Sequence, residues 1–321
     1  MADERAMPPA DEGAHAGLQA LDFAEVRRAF DHAAASYDAH AVLQREVCDR
    51  LLERLDYMRL QPERVLDVGC GTGYGLAHLR ARYAQADLCA LDIAPAMLAQ
   101  ARARLPQSRW AGRMLAGLRA RPSASTGLVC ADMERLPLAA NSAHLVWSSL
   151  ALQWAHDLEA TFRGFHRVLA PGGLLVFATF GPDTLKELRA AFAAIDDAPH
   201  VNRFLDLHDI GDMLIHAGFA SPVMEMEMLT LTYADLRTLM RDLKGIGAHN
   251  AAAGRRRGLL GKSAWSRLER AYETNRSAGR LPATFEVIYG HAWAGDKTRR
   301  EDGRQVIQLA IGERRRRMGR A

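Results

Sequence analysis

The sequence predicts an α/β fold: a doubly wound, mostly parallel sheet of seven strands, with a helical insertion between the last two. Three observations predict it. A glycine cluster, "VLDVGCGTGYG" (65–75), joins a β-rich run to a helical one. Strand-like and helix-like stretches then alternate through residue 180. Finally, an alternating run, "VMEMEMLTLTY" (223–233), is separated from a β-rich run, "TFEVIYGHAW" (284–293), by two helical stretches.

Taken in order, residues 1–20 are acidic and rich in Pro, Ala and Gly, with no apolar stretch. They read as a disordered lead-in rather than a signal or transit peptide. From Leu21 to Leu55 apolar positions recur at helical spacing. "RVLDV" (64–68) is the first strand and "GLAHLRARY" the helix after it; "ADLCALD" (86–92) is the second strand. Pro95 suits the first turn of the helix "PAMLAQARARL". "GLVCA" (127–131) and "HLVWSSL" (144–150) are the third and fourth strands, and 109–127 is a surface insertion before them. The helix "LEATFRGFHRVL" stops at "APGG", and "LLVFATF" (174–180) is the fifth strand. Helices at 183–195 and 206–217 lead to the last two strands. One folded domain therefore spans 21–294, with its helical insertion at 234–283 and a basic tail at 295–321.

Composition narrows the function. With 321 residues, 49% hydrophobic and 25% charged, the chain has the make-up of a soluble globular protein. The formal charge is +4, yet the tail alone carries nine basic against four acidic residues. The body is close to neutral, which argues against a nucleic-acid groove. Four cysteines show neither CxxC pairing nor metal-type spacing with histidine, so no metal site and a reducing, cytoplasmic compartment are expected. No apolar run reaches the length of a membrane span.

The glycine cluster does not supply the G-x-G-x-x-G of a dinucleotide site, because position 74 is Tyr and position 76 is Leu. It reads D-x-G-x-G-x-G, with Asp67 ending the strand and Gly69, Gly71 and Gly73 forming the turn. Asp92 ends the next strand, where a carboxylate can accept both hydroxyls of a ribose. Asp132, in "CADMERLP", follows the third.

These residues, with "LAPGGLLVFAT" (169–179), resemble the class I S-adenosylmethionine-dependent methyltransferases, whose fold is Rossmann-like. The resemblance covers roughly residues 60 to 180. It implies S-adenosyl-L-methionine as cofactor, with the glycine loop on its methionine part, Asp92 on the ribose, and Asp132 with Met133 on the adenine. Ile93, Met97 and Ser149 complete the cofactor set that the resemblance implies. One departure is His144, where relatives usually carry Asp or Glu; its role is expected to be structural.

The flanking segments are more specific. "AFDHAAASYDAHAVLQ" (29–44), "SSLALQWAHDL" (148–158), "FGPDTLKELRAAF" (180–192), "HVNRFLDLHDI" (200–210) and "LKGIGAHN" (243–250) resemble the malonyl-acyl-carrier-protein O-methyltransferases of biotin synthesis, the BioC family. That resemblance implies esterification of the free carboxylate of a malonyl thioester and an acyl carrier protein as partner. Mitochondrial complex I assembly proteins share related segments. An assembly factor or arginine hydroxylase of that type therefore stands as the alternative, beside a methyltransferase for another small acid.

A malonyl carboxylate, with a pKa of about 3 to 4, is ionised at neutral pH and needs no general base. The chemistry instead needs alignment, a cation for the carboxylate, an apolar wall and a lid. Arg203 is the expected clamp because a guanidinium binds a carboxylate through two bonds. Gln153 and Trp154 follow the fourth strand, at the edge where the methyl would be transferred. Tyr37 and His40 could close over the cofactor. In "LKGIGAHN" Gly245 and Gly247 could hinge a lid while Lys244, His249 and Asn250 offer polar contacts; a helix C-cap at Gly245 explains the same residues. Basic residues of 254–270 (Arg255, Arg256, Arg257, Lys262, Arg267) are the expected docking patch for an acidic carrier.

Overall fold

Leucine- and valine-rich runs make strands buried on both faces, as a parallel sheet flanked by helices requires. The computed structural model describes residues 22–105, 124–248, 258 and 260–295. It contains β1 (Arg64–Val68), β2 (Asp87–Asp92), β3 (Thr126–Cys130), β4 (Ala143–Ser149), β5 (Leu169–Phe180), β6 (Phe219–Tyr233) and β7 (Leu281–Ala294). They form one sheet in the order β3-β2-β1-β4-β5-β7-β6. β1 to β5 pair in parallel, and β7 runs antiparallel between β5 and β6. The strand order reverses between β1 and β4, and ligands of such sheets bind outside the carboxyl ends of the strands at that switch.

Helices cover both faces. α1 (Phe23–Ala33), α2 (Tyr37–His40) and α3 (Val42–Arg54) precede the sheet; α4 (Tyr74–Arg82) and α5 (Pro95–Arg104) follow β1 and β2. α6 (Leu158–Val168), α7 (Lys186–Ala193) and α8 (Leu207–His216) come next, and α9 (Leu236–Gly245) and α10 (Lys262–Glu273) form the insertion. α6 illustrates the cause. Asp157 caps it by accepting the Ala160 N–H at 2.8 Å, and the helical stripe Leu158, Phe162, Phe165 and Val168 is buried against the sheet. Each such side chain contributes roughly 1.5–3 kcal/mol. α3, α4 and α5 pack on the opposite face around the fully buried Trp147 of β4.

Three sequence boundaries move. The "APGG" stop is taken into β5, which starts at Leu169: Ala143 pairs with Leu169 but Leu145 with Leu174, so the glycines form a bulge rather than ending the pairing. β6 and β7 start at Phe219 and Leu281 because they pair with each other along their whole length. On β6 the glutamates lie on the α3 side of the sheet. Glu225 accepts Arg54 of α3 at 2.8 Å and Glu227 pairs with Arg50, while Met226 and Met228 are exposed. His144 lies at the amino-terminal end of β4, opposite to Ser149.

The insertion folds back over the sheet, with α9 against α2 and α10 against α7. The turn after β5 is tied to β7: Glu286 accepts the Asp183 N–H at 2.7 Å, and its own N–H donates to the Thr184 hydroxyl at 3.1 Å. Among the described residues no helix is long and apolar enough to cross a membrane. The expected lead-in, nearly all of the 109–127 insertion and the tail beyond 295 lie outside the described residues.

Candidate functional site

The loop leaving β1 is held by the carboxylate that ends β2. Asp92 accepts the Gly71 N–H at 2.8 Å through Oδ2 and the Ala94 N–H at 2.9 Å through Oδ1. Gly71 has φ +52° and nothing within 4 Å of where a Cβ would stand, so its backbone lies open to the pocket. Gly73 serves packing instead: a Cβ there would sit 2.9 Å from Ala101 of α5, and Gly73 lines neither pocket described below.

Two recesses flank this loop. A cleft of about 660 Å³ is lined by Asp92, Ile93, Met97, Asp132 and Met133, with Phe23 and Phe30 of α1 as apolar walls. A second recess, of about 480 Å³, is lined by Asp67, Arg45, Cys48, Thr72 and Tyr74. Tyr37, Gly69, Gly71 and Ser149 line both, so the two are continuous around the loop. Asp67 is buried and its Oδ2 has no hydrogen-bond partner. Burial first, and the neighbouring Asp92 second, push its carboxyl up to about 8. Burial also raises Asp92, though its backbone hydrogen bonds oppose this. Tyr37 and Cys48 are held above their ordinary values, chiefly by burial and then by nearby carboxylates, so both stay protonated. A recess with an unpaired acid and, elsewhere on its wall, an arginine suits an amino-acid zwitterion, and an apolar cleft edged by acids suits a cationic nucleoside.

A third cavity, of about 1680 Å³ up to its mouth, opens beside them under the insertion. Trp154 lines both it and the cleft, and Gln44 lines both it and the Asp67 recess. Its walls are largely apolar, with Phe180, Phe192, Phe204, Leu243 and Phe285 among them. Among the described residues no carboxylate lines it, whereas Lys244 and His200 do. His200 stacks on Phe192 with ring centroids 3.9 Å apart and bonds Asp196 at 2.7 Å.

The residues expected to carry chemistry divide accordingly. Tyr37 stands where cleft and recess meet. Trp154 meets Phe30 edge-on, with centroids 5.3 Å apart. The Gln153 amide is fixed, donating to Leu150 O at 2.7 Å and lining the large cavity. Arg203 is exposed and lines a side pocket of about 300 Å³, which shares Gln153, Phe180 and Phe204 with the large cavity. His249 and the arginines 255–257 lie outside the described residues. Lys262 and Arg267 are exposed on α10.

His40 lines none of these cavities. It bonds Asp242 of α9 at 2.9 Å and packs on Gly245, where a Cβ would sit 2.3 Å from its ring. This accounts for the glycines of the stretch that begins at Leu243, whose last two residues, His249 and Asn250, lie outside the described residues. The helix stop falls on Gly247, with φ +71°, not on Gly245. The Gly247 N–H donates to Lys244 O at 3.1 Å and the Ala248 N–H to Leu243 O at 3.0 Å, a Schellman cap. Both glycines therefore pack the end of α9 on α1 and α2, Gly245 against His40 and Gly247 against Ala29, Phe30 and Ala33. Sequence reasoning passed over Phe23, Phe30, Gln44, Asn202 and Trp265. Each sits on an element whose spacing reports only a helix or a loop.

The chain matches the family model described as "Methyltransferase domain" over residues 66–177. It is 58% identical over 292 residues to a malonyl-(acyl-carrier protein) O-methyltransferase of Laribacter hongkongensis, covering 90% of this chain and 96% of that one. A protein of the same name from Gallionella capsiferriformans is 55% identical, covering 91% and 97%. Among solved structures, the YcgJ protein from Bacillus subtilis superposes with a TM-score of 0.52 at 13% identity, covering 77% of this chain and 98% of that one. At that identity the likeness speaks for the fold alone.

Proposed function

The chain belongs to the malonyl-(acyl-carrier protein) O-methyltransferase family, and from that premise we propose that it methylates the free carboxylate of a malonyl thioester borne by an acyl carrier protein, an early step of biotin synthesis. The observation that carries this reading is the partition of charge. Asp92 and Asp132 line the cleft, while no described carboxylate lines the large cavity and Lys244 does. A cation is favoured on one side of Trp154 and an anion on the other.

When bound, S-adenosyl-L-methionine supplies an electrophilic methyl group on a sulfonium. Asp67 and the glycine loop would hold its amino-acid end, Asp92 and Ile93 the ribose, and Met97, Asp132 and Met133 the adenine between Phe23 and Phe30. Ser149 and Tyr37 would close the cleft between those ends. The acceptor carboxylate arrives ionised, so the enzyme's task is orientation, for which up to ~7–11 kcal/mol is available in favourable cases. Tyr37 and Cys48, held protonated, offer neutral surfaces rather than bases. Gln153 and Trp154 would place the carboxylate at the boundary of cleft and cavity. Arg203 would hold it, with Lys244 as the second cation. Esterification removes the charge that the arginine grips, and losing a charge-assisted bond of roughly 1.5–3 kcal/mol helps the product leave. An assembly role without catalysis gains no specific support.

The test is methyl transfer to malonyl-carrier protein, acetyl-carrier protein and malonyl-CoA, read by mass spectrometry of the intact acyl group. Methylation of the malonyl but not the acetyl thioester is expected, and a carrier-bound substrate should be preferred. No transfer to any malonyl thioester would end the reading.

A further inference from the structure

A carboxylate carried on a tethered arm has to enter the large cavity by its mouth, so the body that bears the arm rests beside that mouth. Lys244 is exposed and also lines the cavity, which places the end of α9 at the rim. The sides of α9 divide by charge. Leu236 and Leu239 are buried, and Met240 and Leu243 line the cavity. Asp242 turns to α2, where it bonds His40 at 2.9 Å. Arg237, Arg241 and Lys244 recur at i, i+4 and i+7, so they share a third side, and all three are exposed. Arg237 lies over the Trp265 ring of α10 at 5.2 Å and pairs with Glu269 at 3.3 Å, so this third side borders α10. Lys262, one turn before Trp265 on the same side of α10, is exposed as well.

Little nearby offsets this charge. Asp235 feels Arg241, but its carboxylate is committed to the helix cap, accepting the Thr238 N–H at 2.8 Å. Among the described residues no ion pair engages Arg241, Lys244 or Lys262. The sequence between the two helices adds Arg255, Arg256 and Arg257. In a body close to neutral, this is positive charge concentrated beside the mouth of one cavity. We propose that the malonyl-bearing carrier protein docks on this side of α9, its acidic surface against Arg241 and Lys262, so that the arm passes Lys244 into the cavity. The inference rests on the function proposed above. It adds α9 to the docking patch expected at 254–270 and sets that patch at the cavity rim. Arg241 and Lys262 line none of the cavities described, so they act on encounter with the carrier and not on the reacting atoms.

The test uses charge reversal at Arg241→Glu and Lys262→Glu. Each should raise KM for malonyl-carrier protein about five- to tenfold at low salt. The gap to wild type should narrow by about 0.5 M salt, where screening is nearly complete. On malonyl-pantetheine, which has neither carrier nor phosphate, kcat/KM should change by less than about twofold. Arg102→Glu, the same charge change on the exposed side of α5, should leave both substrates unaffected. Binding of the holo-carrier protein, read by fluorescence anisotropy without turnover, should weaken in step with KM. Equal losses on carrier-bound and free thioester, or unchanged KM and carrier affinity in both variants, would overturn the inference. So would a KM rise for malonyl-CoA as large as that for the carrier, because the cations would then read phosphate. Melting curves identify a variant that fails to fold, and in that case the other variant decides. If wild type bound no carrier and methylated no malonyl thioester, the functional reading would fall, and this inference with it. Methylation of the carrier-bound substrate that neither reversal slows would remove the docking surface alone.

Discussion

Filling the cofactor recess should move one proton, and Asp67 is the group that holds it. Its carboxyl is buried beside Asp92, with Oδ2 unpaired, and is pushed up to about 8. Below that value the empty site keeps Asp67 neutral, because nothing nearby compensates its charge. Pairing with the ammonium of S-adenosyl-L-methionine would favour the ionised form, so binding must release the proton. A group that loses one proton on binding changes affinity about tenfold per pH unit below its free value. From about pH 6 to about pH 7.5 the dissociation constant should therefore fall roughly thirtyfold. It should level off above, where the cofactor's own α-amino group begins to lose its proton near about 8. Calorimetry in buffers of different ionisation heat should count close to one released proton at about pH 6.5. Asp67→Asn should bind more weakly and lose the slope. The sign for stability is the same: the folded value lies above that of an unfolded aspartate, so this group's contribution is fully present below the unfolded value and is lost as pH rises through about 8. The ligand-free protein should melt earlier as pH rises through that window, and Asp67→Asn should not. A flat affinity across the window, or an equal slope in Asp67→Asn, would remove Asp67 from the cofactor site.

Three further outcomes are expected. Asp92→Ala removes the proposed ribose acceptor and the brace on Gly71 and Ala94 together, so cofactor affinity should drop tenfold or more, by about 1–3 kcal/mol, with a lower Tm; unchanged affinity in a folded variant would refute the assignment. Arg203→Ala should cut kcat/KM on malonyl thioester by at least about tenfold and leave cofactor affinity intact, and if activity survives, Lys244→Ala becomes the decisive variant. Gly245→Ala sets a helix-propensity gain of about 1 kcal/mol against a Cβ placed 2.3 Å from the His40 ring, an overpacking cost of about 1–3 kcal/mol. The clash should win, lowering Tm and loosening the insertion, and His40→Ala should restore part of the loss. A higher Tm for Gly245→Ala alone would mean that His40 yields freely.

Much of this was legible in the chain itself. Local rules act within a few residues, so the glycine turn after "RVLDV", the acid at the end of β2 and the helix start at Pro95 are written in the order of residues. The strand and helix alternation and the family resemblance follow from the same linear pattern. What the chain could not state is which distant residues meet. The pairing of β6 with β7 along their full length extended both strands and turned Glu225 and Glu227 toward the arginines of α3. That Gly245 of "LKGIGAHN" packs on the His40 ring, some two hundred residues away, while Gly247 caps the helix, was not readable from the stretch itself. The elevated carboxyl of Asp67 arises from burial and from Asp92, which no linear spacing encodes. The division into an acidic cleft and a cavity free of described carboxylates likewise exists only once α1, α3 and the insertion converge on Trp154. Desolvation, close approach and electrostatic partition depend on distances in space, and those are set by the packed tertiary structure.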